Sequence, residues 1–209
     1  FCFFFGAFDP HRGYEPNSGK KSGMDLSKIK VPGFYPDSKT IRGDIADYFF
    51  EVQRFDALVG NAMKSLESRK LLENTMVVMS GDHGMPFPRC KSNLYDSGTR
   101  VALAIRWPRG IKASEVPFQQ FVSLTDLAPT FLEVAGVDIP ASMTGRSLTE
   151  FWSSDQPSPK IDRAFVLVGK ERHVPSQEKP NMGGYPCRGI RTQHYFYVRN
   201  YEPSRWPNG

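Results

Sequence analysis

The sequence predicts an α/β fold with a mostly parallel sheet between helices, followed by a small antiparallel subdomain. Short apolar segments alternate with a long helical pattern, turn residues follow these segments, and the composition changes near residue 153. Strands that alternate with helices are typical of layered α/β folds. The chain has 209 residues, of which 39% are hydrophobic, which is enough to bury a core. We therefore expect a main domain over residues 1–152 and a subdomain over residues 153–209.

The first predicted element is a buried strand over residues 1–8, a run rich in phenylalanine. Uninterrupted apolar runs are typical of parallel strands that are covered on both faces. The run does not match a signal peptide, because no basic leader precedes it. Since the sequence opens inside a predicted core strand, we expect it to be the carboxyl-side fragment of a longer protein.

A long polar loop is expected next, through Asp37, and then a long amphipathic helix from Ser38 to about Leu72. Its apolar residues recur in steps of three and four, which is the helical period. Either Asp37 or Ser38 provides the N-cap. Gly60 weakens the helical pattern only locally.

Short strands and one further helix follow this long helix. The predicted elements of the main domain are the strands Thr75–Ser80 and Val101–Trp107 and a helix over Leu127–Val134, closed by Gly136. After a linker over residues 153–159, the predicted strands of the subdomain are Ala164–Val168, Arg188–Thr192 and Tyr195–Arg199. Short alternating strands favour an antiparallel sheet.

Charge and cysteine content exclude several classes of protein. The net charge is +5, but the basic residues are scattered without a nucleic-acid-binding signature, so no nucleic-acid partner is expected. No run of about 18 apolar residues occurs, so no membrane insertion is expected. The cysteines, Cys2, Cys90 and Cys187, form no C-x-x-C pair, which argues against zinc fingers and redox motifs. A single disulfide stays open, and the sequence does not indicate an oligomeric state.

The strongest chemical signal is the pair Asp82–His83, which directly follows a predicted buried strand. Ligands of open α/β sheets bind at the carboxyl ends of strands. A carboxylate and an imidazole placed there side by side can face one cation, and the flanking glycines Gly81 and Gly84 permit a tight turn. A turn without a metal is the alternative interpretation.

Two further residues are predicted to open onto the same edge. Lys91 lies between the Asp82–His83 turn and the next strand, and its ammonium group suits a tetrahedral anion. His11 follows the first predicted strand, where an imidazole can donate a proton to a leaving group. A solvated lysine and a structural histidine are the alternatives. Together the four residues fit metal-assisted hydrolysis of a sulfate or phosphate ester.

These segments resemble the type I sulfatases, a family with the alkaline-phosphatase-like fold, and most closely their heparan N-sulfatase branch. The resemblance covers nearly the whole chain. The segments that carry it are Asp9–Arg12, Met76–Gly84, Lys91–Pro108, Asp126–Thr130 and Gly145–Leu148.

The resemblance implies a role for each site residue. Asp82 and His83 would be metal ligands for calcium, Lys91 would hold the sulfate, and His11 would contact the sulfate ester oxygen. None of the cysteines lies in the Cys-x-Pro/Ala-x-Arg motif that is converted to formylglycine, the nucleophile of the family. We therefore expect formylglycine, and the paired aspartates that complete the calcium site, upstream of this chain, and no turnover from the fragment alone.

The resemblance also implies the substrate and the compartment. The substrate would be a sulfated glycan or a related sulfated small molecule, and the protein would be periplasmic, extracellular or lysosomal. Carboxyl-side loops choose the substrate in this family, which implies substrate-binding roles for Arg172 and His173. A solvated charged turn is the alternative for these two residues.

Two other functions stay open at the level of the sequence. A phosphodiesterase or phosphomutase of the same superfamily would bind zinc or manganese, which His83 suits better than calcium. A non-catalytic carbohydrate-binding domain could also keep this fold, because a fold does not determine a function.

Overall fold

The computed structural model describes residues 2–111, 120–152, 163–173 and 183–206. The chain divides into two compact units, Phe1–Glu73 and Asn74–Gly209, which are described separately. The division into fold domains at residue 152 remains a prediction. The predicted linker over residues 153–159 lies outside the described residues.

The first unit is built around one long helix. Helix α1 spans Ser18–Lys21, and helix α2 spans Lys39–Ser68. Ser38 is the N-cap of α2, because its hydroxyl accepts a hydrogen bond from the Ile41 N–H at 3.2 Å. The long amphipathic helix is therefore confirmed, and Ser38 rather than Asp37 caps it.

The segment between residues 15 and 37 is more ordered than the predicted loop. It contains α1 and a 3₁₀ turn over Leu26–Lys28. The buried carboxylate of Asp47 on α2 accepts hydrogen bonds from the N–H groups of Asn17 and Gly19, both at 2.9 Å. Because a Cβ at Gly19 would overlap the Ala46 backbone, glycine lets α1 pack directly on α2.

The predicted buried strand over residues 1–8 is wrong for the described residues 2–8. They form no strand, and Phe3 and Phe4 are 76% and 83% exposed. A strand must pair its backbone groups with a neighbouring strand. The described residues of the first unit contain no other strand, so this apolar run has no partner within its unit.

The second unit begins with a two-stranded sheet. Strand β1 spans Val77–Ser80, and strand β2 spans Leu103–Arg106. The two strands lie in one sheet, as predicted, but they pair antiparallel with Ser80 opposite Leu103. The mostly parallel sheet is therefore not confirmed. The Gly84 N–H donates a hydrogen bond to the Gly98 carbonyl, which holds together the two ends of the loop between β1 and β2. The chain therefore returns along β1 in the opposite direction.

Two short helices complete this part of the second unit. Helix α3 spans Asp96–Thr99 and was not predicted. Helix α4 spans Leu127–Val134, as predicted. A 3₁₀ turn over Leu124–Asp126 leads into α4 and is held by a capping box between Ser123 and Asp126. Two residues after the end of α4, Gly136 has a φ angle of +70°, a left-handed conformation that favours glycine.

The carboxyl-side strands form the predicted small antiparallel sheet. Strands β3, β4 and β5 span Phe165–Lys170, Cys187–Thr192 and Phe196–Asn200, and they pair in that order. Along β3 the exposed side chains alternate with half-buried ones, so one face of the sheet packs inward. Across the described part of the chain, no helix is long and apolar enough to cross a membrane.

A buried ion pair joins α4 to the segment before β3. Arg163 donates to the Asp126 carboxylate at 2.6 Å, and their side chains are 7% and 6% exposed. The same carboxylate accepts the N–H groups of Ser123 and Arg146. Because these bonds satisfy a charge that is shielded from water, Asp126 ties three chain segments together.

The hydroxyl of Thr130 adds a second connection one helical turn later. It donates to the Asp126 carbonyl at 2.6 Å and accepts from the Leu148 N–H at 2.9 Å. A Cβ at Gly145 would overlap the Thr125 carbonyl, so only glycine permits this approach. The segments Asp126–Thr130 and Gly145–Leu148, which resemble the sulfatases in sequence, are therefore hydrogen-bonded to each other in the structure.

We expect the substitution Arg163→Ala to destabilise the second unit by about 3–5 kcal/mol, because it leaves Asp126 buried without its counter-charge. Denaturant unfolding of the variant measures this cost. Arg199→Ala is the control: it removes an exposed arginine that stacks on Tyr201, and it should cost less than about 1 kcal/mol. Equal stability losses in the two variants would contradict a central role for the Asp126–Arg163 pair.

Candidate active site

The Asp82–His83 pair occupies a tight turn at the carboxyl end of β1. The turn is fixed at both ends: Gly81 N–H donates to the Ala102 carbonyl at 3.3 Å, and Gly84 N–H donates to the Gly98 carbonyl at 2.9 Å. A Cβ at Gly84 would overlap the Ser97 carbonyl oxygen. Glycine therefore permits the turn to lie directly against the segment that leads into β2.

The Lys91 segment is bound to the same turn through its backbone. The Lys91 N–H donates to the carbonyl of Met85, the residue after Gly84, at 3.0 Å. Cys90, beside Lys91, is fully buried, and a Cβ at Gly98 would overlap the Cys90 carbonyl oxygen. The structure thus brings Lys91 to the loop that carries Asp82 and His83.

The residues on either side of Cys90–Lys91 adopt an uncommon conformation. Arg89 and Ser92 have φ angles of +65° and +67°, in the left-handed region that non-glycine residues rarely occupy. Such residues persist where surrounding contacts determine the backbone. Here the Arg89 carbonyl accepts from the Ser97 hydroxyl at 2.8 Å, and the Arg89 guanidinium lies 4.7 Å from the Tyr95 ring centroid.

The geometry of His83 leaves one ring nitrogen available to a cation. Its Nδ1 lies 2.8 Å from the Gly84 carbonyl oxygen, which can only accept, so Nδ1 carries the proton. In the neutral ring, Nε2 then keeps its lone pair. It lies 3.4 Å from a carboxylate oxygen of Asp82, whose side chain is 87% exposed.

The two side chains carry groups that could hold a metal ion. A carboxylate oxygen and an imidazole nitrogen are both ligands for divalent cations. In the described ranges, however, no three His, Cys, Asp or Glu side chains gather as a complete set of ligands. Asp82 and His83 could therefore supply at most part of the ligand set of a metal ion.

His173 interacts electrostatically with Lys91 and His83. Burial lowers the pKa of His173, and electrostatic interactions with Lys91, with His83 and with Lys170 lower it further. A positive charge acts on a neighbouring imidazole in this way only at short range, because solvent screens distant charges. Arg172 is exposed. A Cβ added at Gly184 would lie 2.6 Å from the Cβ of Arg172, so these two residues lie close together.

His11 lies in the first unit, in a turn that is held on α2. Its Nδ1 lies 3.0 Å from the Arg12 carbonyl oxygen, and its ring centroid is 5.2 Å from that of Phe8. Arg12 pairs with Asp44 of α2 at 2.7 Å. Because His11 and Lys91 belong to different units, their meeting in one site stays a prediction.

A second group of charges anchors the start of the same turn. Arg54 of α2 lies 3.2 Å from both Asp9 and Glu51. Burial raises the pKa of Glu51, and its hydrogen bond with Asp9 raises it further, although the charge of Arg54 lowers it. Asp9 and Glu51 thus share one arginine of α2 at the start of the turn.

Sequence reasoning missed two residues of this region. Lys170 contributes to the positive field around His173, and Arg191 on β4 binds both carboxylate oxygens of Asp96 on α3, at 3.0 and 3.1 Å. Strand alternation could have placed Lys170 on the inward face of β3. No local pattern indicates the contact between Arg191 and Asp96, which are 95 positions apart.

Comparison with known proteins assigns most of the chain to family models. The model named Sulfatase matches residues 11–137. The model named N-sulphoglucosamine sulphohydrolase, C-terminal, matches residues 81–206. Together the two models include the predicted site residues His11, Asp82, His83, Lys91, Arg172 and His173.

Curated relatives agree with these matches. An ulvan-active sulfatase from Formosa agariphila is 28% identical over 86% of this chain and 28% of its own length. Human N-sulphoglucosamine sulphohydrolase is 29% identical over 96% of this chain and 39% of its own length. Human arylsulfatase K is 34% identical over 71% of this chain and 34% of its own length. The chain thus spans about a third of the length of these relatives.

Solved structures show the same similarity. One is the structure of a protein in complex with its substrate D-glucosamine-2-N,6-O-disulfate. That protein is 26% identical to this chain, with a TM-score of 0.61, and the match covers 81% of this chain and 35% of that chain. A phosphonate monoester hydrolase from Silicibacter pomeroyi is 22% identical with a TM-score of 0.64 over 87% of this chain and 38% of that chain. At that identity the second similarity concerns the fold alone.

We expect Gly98→Ala to disrupt the turn, because its Cβ would overlap the carbonyl oxygens of Cys90 and Asn93. The cost should be roughly 1–3 kcal/mol or more, as for other overpacked sites. Gly60→Ala is the matched control: Gly60 lies inside α2 with open space around it, so alanine should stabilise the helix by up to about 1 kcal/mol. Thermal unfolding measures both changes. A Gly98→Ala variant as stable as the parent protein would contradict the tight packing.

Proposed function

Since the chain belongs to the sulfatase family, we propose that the full-length protein containing it removes sulfate from a sulfated glycan or a related sulfated compound. The observation that supports this most is the arrangement of Lys91, His173 and the Asp82–His83 turn around one region. The site therefore combines a partial metal site with positive charge for an anion.

Lys91 is proposed to hold the sulfate group. In the part of the chain that the structure describes, no carboxylate forms an ion pair with Lys91. Its ammonium group is therefore available to a bound anion, and its backbone is fixed by the bond to Met85. A positioned cation stabilises the charge that develops on sulfate oxygens as the bond to the leaving group breaks.

Asp82 and His83 are proposed to provide two ligands for calcium, by resemblance to the family. A bound cation would polarise the sulfate oxygens and lower the energy of the charged transition state. The bond from His83 Nδ1 to the Gly84 carbonyl orients the ring, so that Nε2 can face the ion. Formylglycine, which the resemblance places upstream of this chain, would supply the nucleophile of the reaction.

His11 is proposed to act on the leaving group. With Nδ1 facing the Arg12 carbonyl, the ring presents Nε2 to its surroundings. A protonated Nε2 can donate to the oxygen or nitrogen atom from which sulfate departs. The ion pairs of Asp9 and Arg12 with α2 would keep this imidazole in position.

Arg172 and His173 are proposed to bind the rest of the substrate. A guanidinium can grip a carboxylate or sulfate with two hydrogen bonds. The names of the relatives indicate ulvan and N-sulphoglucosamine as substrates of those proteins, and one similar structure holds a disulfated glucosamine. We propose a sulfated sugar for this protein as well, and a periplasmic, extracellular or lysosomal location.

The fold that would support this site is larger than the described sheet. We propose that β1 and β2 belong to a mostly parallel, alkaline-phosphatase-like sheet in the full-length protein, as in the sulfatase structures that this chain resembles. The Asp82–His83 turn would then lie at an edge shared with neighbouring strands.

In the full-length protein, Lys91→Ala should lower kcat/KM for a sulfated sugar on the order of 10²–10³-fold, as loss of one group that stabilises the transition state does elsewhere. Sulfate release measures this. Lys64→Ala, which removes an exposed lysine from α2, is the control and should leave the rate unchanged. If Lys91→Ala hydrolyses the substrate at the parent rate, Lys91 does not belong to the site.

Metal content distinguishes this proposal from the phosphodiesterase alternative that His83 raises. We expect calcium in the purified full-length protein and its loss in Asp82→Asn. Elemental analysis that finds two zinc or manganese ions instead, with hydrolysis of phosphate diesters, would favour the alternative.

A further inference from the structure

The backbone of Lys91 is held on both sides of its Cα atom. Its N–H donates to the Met85 carbonyl at 3.0 Å, and its carbonyl accepts a hydrogen bond from the side-chain amide of Asn93 at 3.1 Å. A lysine ammonium group stands at the end of a flexible four-carbon stem. The place from which this stem starts is therefore determined by two hydrogen bonds, and a side chain supplies one of them.

Asn93 is itself fixed at its backbone. Its N–H donates to the Cys90 carbonyl at 3.1 Å, and a Cβ at Gly98 would lie 2.3 Å from its carbonyl oxygen. Cys90 is fully buried, and Leu94, the residue after Asn93, is 9% exposed. Burial thus anchors the segment at both ends, and the Asn93 amide reaches back to Lys91 from a fixed position.

The residue between Lys91 and Asn93 has a conformation that this bond supports. Ser92 has a φ angle of +67°, in the left-handed region that non-glycine residues rarely occupy. Relaxation of Ser92 toward an ordinary φ angle would rotate the peptide group that follows Lys91. The hydrogen bond from the Asn93 amide to the Lys91 carbonyl spans Ser92 and opposes this rotation.

The residue type at position 93 suits this task. The amide nitrogen of asparagine is an uncharged donor of two hydrogen bonds. An aspartate there would present only acceptors to the Lys91 carbonyl, and a leucine would present no donor at all. An asparagine therefore holds the Lys91 carbonyl without placing a counter-charge beside the ammonium group.

We propose that Asn93 is a positioning residue for Lys91: its amide fixes the backbone from which the ammonium group reaches the sulfate. The inference rests on the proposed function, in which Lys91 holds the sulfate. Asn93 acts through Lys91 and makes no contact with the substrate.

Sulfate release from D-glucosamine-2-N,6-O-disulfate by the full-length protein tests this role in two backgrounds. Asn93→Ala should lower kcat/KM roughly tenfold, as loss of one hydrogen bond that positions a reacting group does. The loss should appear mainly in kcat, because Lys91 acts on charge that develops in the transition state. In Lys91→Ala protein, the same substitution should change kcat/KM less than about twofold, because no ammonium group is left to position.

Ser68→Ala is the matched control. It also removes a side-chain hydrogen bond to a backbone carbonyl, that of Ser65 at 3.0 Å, and it should leave kcat/KM unchanged. An equal loss in the two backgrounds would show that Asn93 serves the fold alone and would overturn the proposal. A parent-like kcat/KM in Asn93→Ala would overturn it as well.

Titration calorimetry with inorganic sulfate distinguishes failure of this inference from failure of the proposed function. If the unmodified protein binds sulfate but releases none from the sugar, the proposed function is wrong. Asn93→Ala should still weaken sulfate binding several-fold, whereas an unchanged affinity would contradict the positioning role. Sulfate binding that does not depend on Lys91 would contradict both.

Discussion

The candidate site depends on a close backbone approach between Gly84 and Gly98. Their hydrogen bond closes the connection between β1 and β2, and both glycines lie where a Cβ would overlap a carbonyl group. This contact holds the Asp82–His83 turn against the segment that carries Lys91. The proposed metal ligands and the proposed anion-binding lysine are therefore joined by the main chain, which flexible side chains could not achieve with the same accuracy.

The buried pair of Asp126 and Arg163 extends this arrangement to the carboxyl-side sheet. Arg163 lies just before β3, so its bond to Asp126 anchors the start of the strand on α4. The far end of β3 leads to Lys170 and His173, and β4 is held at α3 by Arg191. Motif residues such as Asp126 and Thr130 thus determine where the strand begins.

Local patterns predicted most helices and strands, because period and capping depend on neighbouring residues. Helix α2 followed from apolar steps of three and four, and its N-cap was narrowed to Asp37 or Ser38, of which Ser38 is the cap. Pairing between distant segments could not be predicted in the same way. The apolar run at Phe3 and Phe4 has the composition of a core strand, but a strand needs a partner that composition does not provide. Likewise, the contacts of Lys170 and Arg191 depend on how the sheet packs, although the Asp82–His83 turn was evident from its glycines.

His173 and Lys91 are proposed to face one anion-binding region, and the ionisation of His173 tests this arrangement most directly. Burial and the nearby positive charges hold the pKa of His173 below its ordinary value. Lys91→Met removes one of these charges, so the imidazolium becomes less unfavourable and the pKa of His173 should rise. Histidine NMR of the calcium-free protein measures this, with Arg199→Ala as a control that should leave the pKa unchanged. An unchanged pKa of His173 in Lys91→Met would contradict the shared site.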